Sequence, residues 1–94
     1  MKQTFSNSDD YNIIIQMESD LLFLHIDVVN WGKSVLKSIR QDMEKILDRT
    51  KAQGWGEVYA YTSNVKFANL VEPCEVVGPM AGHEHLTIVK WVTG

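Results

Sequence analysis

His25 and Asp27 stand two residues apart in the run Leu21–Val29. On a strand that spacing sends both side chains to one face. A histidine titrates near neutrality, so an imidazole beside a carboxylate suits acid–base chemistry. The same pair also suits the polar end of a sheet. His83 and His85 flank Glu84 in a His-x-His. Two imidazoles on one strand face suit a metal, but the pattern lacks a third ligand unless His25 or Asp27 is a neighbour. It reads as a polar loop entering a strand, and no metal or metal-binding residue is expected. Cys74 follows Pro73 at the end of a short helical stretch. A helix C-terminus raises rather than lowers a thiol pKa, so Cys74 reads as a packing residue. Gly32-Lys33-Ser34 resembles the tail of a phosphate loop, but the required upstream glycine is replaced by strand residues around Val28.

The aromatic residues form a second group. Trp31, Trp55 and Trp91, with Tyr59 and Tyr61, are a heavy load for 94 residues. Trp31 and Trp55 lie beside glycines, in Trp-Gly and Gly-Trp-Gly, and turns are usually exposed. Trp and Tyr are enriched where proteins bind proteins. These five residues are the expected interaction face, with core packing as the competing use.

The elements that must position these residues follow from periodicity. Met1 to Asp10 is polar and reads as a flexible segment, ahead of one domain over residues 11–94. Tyr11 to Met17 holds the β-branched run Ile13-Ile14-Ile15 and predicts a strand. Glu18-Ser19-Asp20 is a hairpin-length break. Leu21 to Val29 is the strongest strand. Leu22, Leu24, Ile26 and Val28 make an apolar face, opposed by Leu21, Phe23, His25, Asp27 and Val29. This predicts a central strand covered on both sides, with one end opening on a cleft. Lys33 to Gln53 predicts a long helix with an apolar stripe of Val35, Leu36, Ile39, Met43, Ile46 and Leu47, ended by Gly54. Glu57 to Thr62 is a strand, and Val65 to Val71 a short helix stopped by Pro73. Glu75 to Val77 is a brief strand, residues 78–82 a loop, and Glu84 to Val92 the last strand. The order β-β-α-β-α-β-β gives an α/β (α+β) fold: a mixed sheet around a parallel β-α-β unit.

Composition narrows the possible partners. The net charge of -3 disfavours nucleic acid, which needs concentrated positive charge. Lys33, Lys37 and Arg40 share a helical segment with Asp42 and Glu44 and read as a solvated face. One cysteine excludes an intrachain disulfide and fits a reducing compartment. The polar N-terminus is expected not to be a signal peptide, and no apolar run approaches membrane-spanning length. A soluble, cytoplasmic protein without membrane contact is the expectation.

The order of elements resembles the GNAT acetyltransferase superfamily over about residues 12–92. Leu21–Val29 matches its central strand, Lys33–Gln53 the helix that receives the coenzyme A pyrophosphate, and Glu57–Thr62 the strand that splays from the central one. "TSNVKFANLV" is similar to the family's N-x-x-A-x-x-x-Y helix through Asn64 and Ala68, and "CEVVGPMAGHEHLTIVKW" to its closing hairpin. The family's pyrophosphate loop, Arg/Gln-x-x-Gly-x-Gly/Ala, works by backbone N–H groups approaching phosphate. Here the corresponding Asn30-Trp31-Gly32-Lys33-Ser34-Val35 has one glycine and is shortened. Leu70 and Val71 stand near where the family's general-acid tyrosine would be.

These departures imply a non-catalytic GNAT-like protein with no cofactor, acting in self-association or in binding another protein. Small GNAT-like proteins occur among phage-encoded ones, so an assembly component or host-directed effector, in the virion or host cytoplasm, fits the resemblance. The alternative is a minimal N-acyltransferase. Acetyl-CoA would then meet the backbone from Trp31 through Gly32, Lys33 and Ser34 to Val35, with His25 or Asp27 as base.

Overall fold

The computed structural model describes residues 2–93; Met1 and Gly94 lie outside the described residues. The β-branched run becomes a strand, β2 (Tyr11–Glu18), which pairs antiparallel with β3 (Leu21–Val28) along its whole length. Their turn is only Ser19-Asp20, with Ser19 in the left-handed region (φ 56°). Left-handed turn residues match the natural twist of a two-residue hairpin. Helix α1 (Lys33–Ala52) buries Val35, Ile39, Met43, Ile46 and Thr50, a single stripe at three- and four-residue spacing. Leu36 and Leu47 flank it half-buried. Gly54 (φ 88°) ends the helix, its N–H bonding the Lys51 carbonyl, while the Trp55 N–H returns to Thr50. Lys51 and Arg49 in the last turn complement the helix dipole.

The next strand, β4 (Glu57–Thr62), lies parallel to β3, so the predicted β-α-β crossover is present. Asn64 caps α2 (Val65–Val71) by accepting from the Phe67 N–H at 3.0 Å. The chain closes with the antiparallel hairpin β5 (Glu75–Met80) and β6 (His83–Val92), turned at Ala81-Gly82.

Two segments differ from expectation. Lys2–Asn7, expected to be flexible, forms strand β1 on the free edge of β2, with a bulge at Phe5. Its polar composition is that of an edge strand, whose ladder to β2 needs no apolar residues. Residues 78–80, expected in a loop, continue β5. Pro79 is tolerated because β5 is the opposite edge and needs no donor on its outer side. The six-stranded sheet runs β1-β2-β3-β4-β6-β5, antiparallel except at β3–β4.

Both helices pack on one face. Ile13, Leu22, Leu24, Val58, Ala60, Val89 and Trp91 of the sheet meet Val35, Ile39, Met43, Ile46, Ala68 and Val71 of the helices in one core. Tyr11 anchors its rim, its hydroxyl donating to Asp42 at 2.6 Å. β3 is central as expected, but it is covered on one side only. A helix leaving and re-entering the same sheet must choose a face, and α1 and α2 choose the same one. Among the described residues, no helix lies on the other face.

Candidate functional site

Two places could carry function: the gap between β3 and β4 on the helical side, and the helix-free face behind it. The gap arises because the parallel ladder is short. Only Phe23 with Tyr59 and Leu24 with Ala60 are in register, and beyond them the strands separate. Leu24 and Ile26 line one wall, Ala60 and Thr62 the other, and Phe67, Ala68 and Val71 of α2 with Trp91 fill the wedge. What remains is a cavity of about 50 Å³. Small-molecule pockets run from about 300 to 1,000 Å³.

The start of α1 lies beside this gap. Gly32 is the extended N-cap residue, with no side chain capping the helix, and its carbonyl accepts from the Leu36 N–H at 3.0 Å. Lys33 and Ser34 are exposed, whereas Val35 turns into the core. Trp31 is 67% exposed and sets its indole edge-on to the Phe67 ring, centroids 4.9 Å apart. Trp31 thus stands over the residue that fills the gap.

His25 and Asp27 do not face the gap. They alternate with Leu24 and Ile26 and so belong to the helix-free face. His25 Nε2 is 2.8 Å from Gln16 Oε1, and its ring meets Tyr61 edge-on at 6.3 Å. Asp27 is exposed opposite Asn12. His83 and His85 are exposed, with ring centroids 6.2 Å apart. Among the described residues no three His, Cys, Asp or Glu side chains gather as a metal would need. Burial pushes the Cys74 thiol up, so it is a poor nucleophile.

The helix-free face is built around Phe23. Cross-strand partners share a face, so the register writes its rows directly. One row reads Lys2, Gln16, Phe23, Tyr59, Lys90, Glu75 from edge to edge, and the next Thr4, Ile14, His25, Tyr61, Ile88, Gly78. Tyr59 and Tyr61 flank Phe23 at 5.8 and 5.0 Å, and with no helix above it Phe23 is still only 9% exposed. Lys90 bridges Glu57 at 3.3 Å and Glu75 at 3.7 Å. The Tyr59 hydroxyl donates to Glu57. That bond, and then the one from Lys90, hold the Glu57 carboxyl below its usual range, while the same contacts raise Tyr59 and Lys90.

Of the expected interaction residues, Tyr59 and Tyr61 lie on this face and Trp31 is exposed at the mouth of the gap. Trp55 is half-buried against the core. Trp91 lies in the core instead of on the surface: it is 2% exposed, and its Nε1–H donates to the Glu72 carbonyl at 2.8 Å. Its even spacing with Val89 put it on the core side. Ile14 and Phe23 lie on the helix-free side, Ile14 half-buried and Phe23 buried under the tyrosines, although apolar strand positions read as packed against a helix.

A separate hollow, about 590 Å³, lies between β1 and α1. Its floor is Phe5, Ile15, Leu22 and Ile46, with the Arg49 guanidinium 5.3 Å over the Phe5 ring. It escaped the sequence because β1 did. Comparison with known protein families, with curated proteins and with solved structures finds no significant match to this chain.

Proposed function

We propose that this chain is a GNAT-like scaffold without acyl-transfer activity, and that it works as an interaction protein through its helix-free sheet face. The observation that carries this reading is the side-chain filling of the gap between β3 and β4. A cofactor arm would have to enter there, and Phe67 leaves about 50 Å³. Trp31, packed on Phe67, adds bulk where the resemblance calls for small residues. Support for the scaffold itself comes from the strand order, with one parallel pair at its centre that parts after two residues and a long helix joining its strands. Support for interaction comes from an uncovered sheet face carrying Ile14, Phe23, Tyr59, Tyr61 and Ile88.

Titration calorimetry with acetyl-CoA tests the first half. The expected result is no saturable heat at millimolar cofactor, which places any binding below about 4 kcal/mol. Saturable micromolar binding overturns the reading. It would favour instead a minimal N-acyltransferase, for which the uncapped start of α1 at Gly32 is the supporting feature. His25 and Asp27 fit that alternative poorly, because they lie on the face opposite Leu24 and Ile26.

A further inference from the structure

The rows of the helix-free face have a symmetry that names an occupant. Take the first row from β1 to β5: Lys2, Gln16, Phe23, Tyr59, Lys90, Glu75. A second sheet laid on this face, and related to the first by a two-fold axis parallel to the strands, presents the same row reversed. Lys2 then meets Glu75, Gln16 meets Lys90, and Phe23 meets Tyr59. No like charges meet. In the second row Ile14 meets Ile88 and His25 meets Tyr61. In these two rows apolar positions fall on apolar or aromatic ones and the edge charges are opposite; in the adjoining row, at the strand ends, Glu18 meets Val92 and Leu21 meets Glu57.

We infer that two copies of this chain pair through their helix-free faces, as a sheet-on-sheet sandwich with isologous contacts. The size is adequate. Six strands about 4.8 Å apart and eight residues long give a face on the order of 700 Å² in projection. A standard interface takes about 800 Å² of accessible surface per partner. A chain this short also gains from a second layer, because its own core leaves a large share of its surface in water. The Tyr59 and Tyr61 rings, held against Phe23, are pre-placed anchors that lose little freedom on pairing. Stacked sheets cross at about 30°, so the edge pairs are the most displaced and the Phe23–Tyr59 centre the least.

The inference rests on the interaction reading but is tested separately from it. Sedimentation equilibrium of the full chain across the micromolar range should show a monomer–dimer equilibrium. Ile14→Lys or Ile88→Lys should weaken pairing at least about tenfold, the cost of a desolvated charge in each half of the interface. Far-ultraviolet circular dichroism and thermal melts check that each variant folds. Charge reversal at the edges gives a second test. Lys2→Glu alone sets a second carboxylate against Glu75, and Glu75→Lys alone sets a second ammonium against Lys2, so each should pair more weakly than the parent. In a heterodimer of the two variants, one edge holds two substituted side chains of opposite charge and the other holds the original Lys2 and Glu75. Mixing them should therefore restore association. A monomer at high micromolar concentration, a dimer insensitive to both isoleucine variants, or a mixture no tighter than its components overturns the stacked pair. None of these results bears on the acetyl-CoA titration, which reads the gap on the other side of the sheet.

Discussion

Glu57 on the helix-free face is held by two neighbours. It accepts from both Tyr59 and Lys90, so its carboxyl ionises below the ordinary 4.5. A carboxylate whose folded pKa is depressed contributes stability fully above its unfolded pKa, and that contribution disappears as pH falls through the folded value. The group is exposed, so the effect is a matter of sign more than size. The melting temperature of the parent should therefore fall more between about pH 5 and about pH 3 than that of Glu57→Gln, which has no such proton to gain. Parallel pH profiles would remove Glu57 from this role. The pair Glu57–Tyr59 was visible in the sequence only as alternation. Its hydrogen bond depends on both residues facing away from the helices.

Helix α1 is the element that the sequence specified most fully. Its stripe, its length and its glycine stop were legible because an amphipathic helix of 20 residues repeats one signal many times. Met43 sits at the centre of the stripe with no exposed surface. Met43→Ala should cost about 2–5 kcal/mol in a denaturant titration, the range for emptying a core site. Lys37→Ala, on the exposed side of the same helix, should stay within about 0.5 kcal/mol. Equal costs would mean that α1 does not pack as described. β1 was illegible for the converse reason. Lys2–Asn7 has one apolar residue, Phe5, and is defined by its ladder to β2 rather than by any pattern of its own.

At the scale of the molecule, β1 completes the sheet and walls the hollow against α1. Deleting residues 1–7 strips the ladder from β2 and opens its edge, with Ile13 and Ile15 beside it. The truncated chain should melt at least about 5 °C lower and aggregate more readily, as unprotected edges do. An unchanged melting curve with unchanged solubility would show that β1 contributes nothing to stability. Among the described residues no helix is long and apolar enough to cross a membrane. His83 and His85 form the exposed entry to β6.

The sequence by itself determined the β-hairpin, the long helix, the parallel crossover and the short capped helix, because each is written in local periodicity and turn chemistry. It also placed His25 and Asp27 on one strand face. Only the tertiary structure decided which face that was. The reason is that α1 and α2 return to the same side of the sheet, a choice made by packing between elements far apart in the chain. That choice buried Trp91 and filled the gap between β3 and β4 with Phe67. It also left Phe23, Tyr59 and Tyr61 on an uncovered sheet.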